Sequence, residues 1–161
     1  MLEPSLLHVP VIIRPTALIS GTLAALVTAA VTRNNRAVLS VSAGVLWYAA
    51  DCTHVVGHII SSQAVAAPID AVEFGIYPKN IYHNNTVSPQ QHIGRSIGGL
   101  IASFGSAMLF VLLARLLPHR LGKKLFIIAA IENALVFSTA MLPIPIVDGG
   151  VILTNLRKMN A

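Results

Sequence analysis

His54-Val55-Val56-Gly57-His58 sets two imidazoles four residues apart in a very apolar stretch. Leu142-Pro143-Ile144-Pro145-Ile146-Val147-Asp148-Gly149-Gly150 sets a carboxylate just after a later, proline-broken one. Side chains at i and i+4 project from one side of a helix, so the two histidines can face a common point. A carboxylate from a second element completes a three-ligand set of the kind that holds a catalytic-type zinc, with the fourth position open. The group that would move protons is missing. In an H-E-x-x-H helix the residue after the first histidine is the glutamate base, and here it is Val55. The pattern is a metal site without its catalytic half.

The elements that must position these residues read as membrane segments. The chain has 161 residues, one domain by length. Hydrophobic residues make up 55% and charged residues 11%, against roughly 25% charged in an ordinary soluble domain. So few charges cannot coat a soluble surface, and most of the exterior is expected to face lipid. The net charge of +5 is spread out with no run of Lys and Arg, which argues against nucleic acid and for cations at helix ends near headgroups. The single Cys52 excludes an internal disulfide. Met1 to Pro15 holds Glu3, Pro4, Pro10, Arg14 and Pro15, and a removable signal peptide is not expected there.

Four apolar stretches approach or reach the ~17–25 residues of a membrane crossing: Thr16 to Val31, Ala37 to Ile60, Ile97 to Leu117 and Leu125 to Leu142. The second carries Asp51, His54 and His58, and the fourth Glu132 and Asn133. Pro143 and Pro145 must end the fourth, because proline lacks the amide donor. Gly149-Gly150 then allows a tight turn into a last apolar stretch, Val151 to Leu156. Ser61 to Gly94 is the one long polar stretch, with short β-type alternation around Asp70 to His83 that suits a hairpin or membrane-edge loop. The expected fold is an all-α membrane protein of about four transmembrane helices, with a short loop or hairpin insert between helices 2 and 3. Asn84-Asn85-Thr86 fits a glycosylation sequon, a pattern common by chance.

Four alternating crossings bring His54, His58 and Asp148 to one side of the bilayer. Charges do not orient the chain, since Arg33, Arg36, Arg115, Arg120, Lys123 and Lys124 fall on one side and Arg14, Lys79, Arg95, Arg157 and Lys158 on the other. Asp51 shares a helix face with the histidines and has three open roles: a fourth ligand, an acceptor orienting an imidazole, or an arginine's partner. Glu132 lies mid-segment, where an ionisable group is a functional candidate by default, although pairing with a polar group of another helix is the plainer reading. Asp148 also suits capping of the following helix. His83 and His92 read as loop residues outside the site.

The histidine pair, the Leu-Pro-Ile-Pro-x-x-Asp-Gly-Gly motif and the loop-rich insert between them resemble the site-2 protease family of intramembrane zinc metalloproteases. The resemblance runs from Ala37 to Leu156, is most specific at Leu142 to Gly150, and is looser at His92 to Ser103. It implies a single membrane domain over 1–161, with an N-terminal helix at 16–31 and a protease-like core at 37–156. It further implies zinc on His54, His58 and Asp148, and a metal-site side facing the cytoplasm. Three positions depart from the family pattern: Val55 replaces the glutamate, Ala140 stands for an asparagine, and Gly98-Gly99 with Ala102 and Ser103 replaces Gly-Pro and an asparagine. General acid–base catalysis is worth about 10²–10⁴-fold, so the expectation is a pseudoprotease that acts as a binding or scaffold subunit, with lipid and a partner's transmembrane helix as its contacts. One alternative is an active endopeptidase using Asp51 or Glu132 as base. Another is a subunit that ligates a haem or chlorophyll-type tetrapyrrole through histidine.

Overall fold

The computed structural model of the chain describes residues 4–83 and 85–160. The sequon begins at Asn84, outside those residues. In chain order the elements are β1 (Ser5–Leu6), β2 (Val9–Ile13), α1 (Ala17–Val31), α2 (Arg36–Ala64), β3 (Ala71–Phe74), β4 (Pro78–Ile81), α3 (Pro89–Leu116), α4 (Arg120–Ala140) and α5 (Asp148–Met159).

A mixed four-stranded sheet, ordered β1-β2-β3-β4, corrects the all-α expectation. The expected hairpin is there as β3 and β4, paired antiparallel. It is extended by the N-terminal stretch, where β2 runs parallel to β3 with Val11 opposite Val72 and Ile13 opposite Phe74. Parallel neighbours need a long crossover, and α1 with α2 supplies it. Leu7 and His8, at φ 50 and 67, make the left-handed two-residue turn between β1 and β2. Arg14 donates to Glu73 at 2.8 Å and ties β2 to β3 beyond the ladder. The sheet lies on α2, where Val9, Ile69 and Val72 close a core with Val55 and Ile59.

The helix ends move for local reasons. α3 begins well before the apolar run at Ile97 because Ser88-Pro89-Gln90-Gln91 is a capping box: Ser88 Oγ accepts from the Gln91 N–H at 3.2 Å, and Gln91 Oε1 accepts from the Ser88 N–H at 3.0 Å. α4 stops at Ala140 rather than at the proline, since the residue before Pro143 is itself driven out of the helical region. Gly149-Gly150 lies in the first turn of α5 and not in a turn before it. α2 and α3 cross with backbones in contact, since a Cβ added at Gly57 would overlap the Gly98 carbonyl and one at Gly98 the Gly57 carbonyl.

Among the described helices, α3 is long and apolar enough to cross a membrane, and α1 is apolar but shorter. That is one such span where the sequence suggests four. α2 and α4 interrupt their apolar residues with Asp51, His54, His58 and Glu132, and those groups are turned inward and buried. The outer faces of α1 to α4 are apolar: Leu18, Leu26, Val41, Val45, Ile101 and Ile131 are all exposed.

Candidate metal centre

His54 and His58 project from the C-terminal half of α2 toward Asp148, the first residue of α5. Asp148 Oδ2 stands 3.1 Å from His54 Nε2 and 3.3 Å from His58 Nε2. The two Nε2 atoms are 3.0 Å apart. Atoms ligating a tetrahedral zinc at about 2.0–2.1 Å lie about 3.3 Å from one another, so the three form a triangle close to the size of one face of a zinc coordination tetrahedron. This is the group of three potential metal ligands found among the described residues.

The hydrogen bonds behind the triangle suit the same ion. His58 Nδ1 is 2.8 Å from the Arg95 carbonyl oxygen. A carbonyl only accepts, so Nδ1 carries the proton, and in the neutral ring Nε2 turns a lone pair to the triangle. His54 Nδ1 pairs with Ser103 Oγ at 2.9 Å. Two imidazole nitrogens oriented from behind, plus a carboxylate oxygen, make a zinc-type donor set. The residues fit the metal.

Glycines on two elements make the approach possible. A Cβ at Gly99 would lie 2.7 Å from His54 Cε1 and overlap His58 Nε2, so only glycine leaves the imidazoles uncovered from α3. A Cβ at Gly149 or Gly150 would overlap the Met141 or Ile144 carbonyl. α5 can therefore start pressed onto the Leu142–Pro145 turn, which aims Asp148 at α2. The position at a helix N-terminus favours a carboxylate. Asp148 does not cap α5, however: the N-cap is Val147, with no side-chain capping bond.

Sequence reasoning missed Arg95 and Ser103. Arg95 counts there only as a flanking cation and Ser103 only as a departure from an asparagine. Arg95 is buried, donates through Nε to the Ala67 carbonyl at 2.6 Å and through Nη1 to Asn85 Oδ1 at 2.9 Å, and its guanidinium lies 4.1 Å over the Tyr82 ring. It joins the insert to the metal centre, because its own carbonyl holds His58. Burial pushes the Tyr82 phenol up to about 12, so that ring stays protonated at neutral pH. No short-range signal marks either residue; both contacts join segments far apart in the chain.

The remaining candidates lie elsewhere. Asp51 is buried but is not in the triangle, and the imidazole Nδ1 atoms it was to orient are held by Ser103 and Arg95. Glu132 and Asp51 lie within reach of each other's charge between α4 and α2. Glu132 Oε2 has no hydrogen-bond partner among the described residues. His83 is an exposed loop residue whose Nδ1 is 3.3 Å from Asp70 Oδ2. His92 lies on the first turn of α3 rather than in a loop. Val55 is 1% exposed and packs under the sheet with Ile59 and Val72.

No protein-family model matches the chain, and no curated protein does. By structure it is similar to the site-2 protease from Methanocaldococcus jannaschii, at a TM-score of 0.73 over 97% of this chain and 70% of that one, with 15% identity. The chain has a site-2-protease-like fold.

Proposed function

We propose that the chain is a multi-pass membrane protein that holds zinc on His54, His58 and Asp148 without cleaving peptides, and that it binds a transmembrane helix of another membrane protein. The observation that carries this reading is Val55, buried in an apolar cluster beside an otherwise well-formed ligand triangle. When bound, zinc supplies Lewis-acid chemistry, polarising a carbonyl and activating water. Peptide cleavage also needs a proton carried to the leaving amine, and Val55 has none to carry. Neither Asp51 nor Glu132 belongs to the triangle, which weighs against an active endopeptidase that uses either as base. A tetrapyrrole is disfavoured because the Nε2 atoms and Asp148 Oδ2 crowd within 3.3 Å, leaving no face for a macrocycle.

Membrane embedding is supported by the inverted distribution of the helices, with polar groups inside and large apolar side chains outside. A protein of this fold that binds a membrane helix and cannot cut it retains that helix as a partner. Metal analysis of purified protein should find one zinc per chain, lost in H58A and in D148A. Incubation with transmembrane peptides should yield no fragments. Cleavage by the unaltered protein that vanishes in D51N with zinc retained would sink the reading and make Asp51 the base.

A further inference from the structure

We propose that the end of the bundle remote from the metal centre binds the phosphate of an anionic phospholipid, in a cleft where the α1–α2 turn meets α4. The cleft is a cavity of about 320 Å³ with Arg33 and Asn34 contributed by the turn, Lys124 by α4, and apolar walls from Val31, Leu39 and Ile128. Along α2, Leu39 stands about 22 Å from His54 at 1.5 Å per residue, so this site is separate from the triangle. It rests on the membrane reading above and not on the metal.

The electrostatics call for an anion. The acidic residues of the chain are Glu3, Asp51, Asp70, Glu73, Glu132 and Asp148. None of them lies on α1, on the turn after it or in the first two turns of α4. Among the described residues Arg33 and Lys124 have no carboxylate partner, the one Lys/Arg ion pair being Arg14 with Glu73. Arg36 opens α2, and Arg120, Lys123 and Lys124 open α4, with no acidic residue in either first turn. Cations at a helix N-terminus are the wrong sign for the macrodipole, and a phosphate between the two helix starts offsets both. Arg and Lys bind phosphate through charge-assisted hydrogen bonds, and the Asn34 amide adds a neutral donor.

The walls choose the lipid over the free ion. Val31 lines the cleft and is exposed together with Val27 one turn back on α1, an apolar strip along which acyl chains can lie while the headgroup sits between the cations. Basic pockets between membrane helices hold anionic headgroups by this combination.

Native mass spectrometry of the full chain in detergent, titrated separately with short-chain phosphatidylglycerol, short-chain phosphatidylcholine and inorganic phosphate, tests this. Phosphatidylglycerol should bind one per chain and outcompete phosphatidylcholine. Its affinity should fall roughly 30-fold in R33Q/K124Q, persist in R33K/K124R, and persist in R115Q, whose side chain lies outside the cleft. Equal affinity in R33Q/K124Q, loss in R115Q, or equally tight binding of inorganic phosphate would overturn the assignment. Flotation of the same variants with liposomes reads membrane embedding separately, so failure of the headgroup site is distinguishable from failure of the membrane reading.

Discussion

The two imidazoles of α2 are both held from behind by α3, one by a side chain and one by a backbone carbonyl. The difference sets what mutation can reach. Ser103→Ala removes the partner of His54 Nδ1 and should weaken zinc retention about 10–100-fold, measured by competition with a chelator, whereas no substitution removes the Arg95 carbonyl that holds His58. Val55 occupies the place of the lost base, yet its side chain is part of the core under the sheet. Val55→Glu therefore buries a carboxylate among Ile59, Ile69 and Val72 at a cost of about 3 kcal/mol or more. A lower Tm in detergent without new cleavage is the expected result. A stable, cleaving V55E would show instead that the glutamate alone was missing.

Elements meet through glycine and through short polar ties. Gly57 and Gly98 let α2 and α3 touch backbone to backbone, which brings Ser103 and the Arg95 carbonyl up to the histidines. Gly98→Ala overpacks that crossing and should cost about 1–3 kcal/mol, with zinc affinity falling alongside stability in the same chelator titration. The insert has its own tie. The His83 backbone N–H donates to Asp70 Oδ2 at 2.8 Å, and that bond, seconded by the His83 imidazole, holds the Asp70 carboxyl below its ordinary range. A carboxyl depressed in the folded state stabilises fully above its unfolded value of about 3.9 and loses that contribution as pH falls through its folded value. Asp70→Asn should therefore flatten the acid limb of the melting profile below about pH 4 and leave the neutral limb without any added pH dependence.

For the helix bundle as a whole, Asp51, His54, His58, Arg95 and Glu132 are buried while large apolar side chains such as Leu18, Val45 and Ile101 are exposed, the reverse of a soluble domain. Cys52, the single cysteine, is exposed on α2 beside buried Asp51. If α2 lies in the bilayer, Cys52 faces lipid. In intact membranes it should then react with a lipophilic maleimide and resist a charged one, becoming reactive to both only once the protein is unfolded. Ready labelling by the charged reagent in intact membranes would place α2 in water and remove the multi-pass proposal. The sheet bears on the same question: backbone that is not helical is tolerated at membrane depth only where protein or water satisfies it, and here β2 and β3 are paired with each other and seated on α2.

Much of the helical framework is legible in the chain alone because its causes are local. The i, i+4 spacing of His54 and His58 sets them on one helix face, apolar runs mark α1 to α4, and the prolines mark where α4 must stop. Ser88-Pro89-Gln90-Gln91 also carried a local signal for the start of α3, overshadowed there by the apolar run that follows. The sheet was not legible. Val9–Ile13 and Ala71–Phe74 are separated by two helices, and nothing within either stretch states that the other is its partner. The same holds at the metal centre. That an aspartate would accompany the histidines followed from motif and sidedness. That Ser103 and the Arg95 carbonyl hold the rings, that Gly99 leaves them uncovered, that Val55 packs under the sheet and that Asp51 stays out of the triangle depended on how α2, α3 and α5 pack. Neighbours along the chain are set by backbone geometry, but neighbours across it are chosen by which faces bury one another, and only tertiary structure makes that choice.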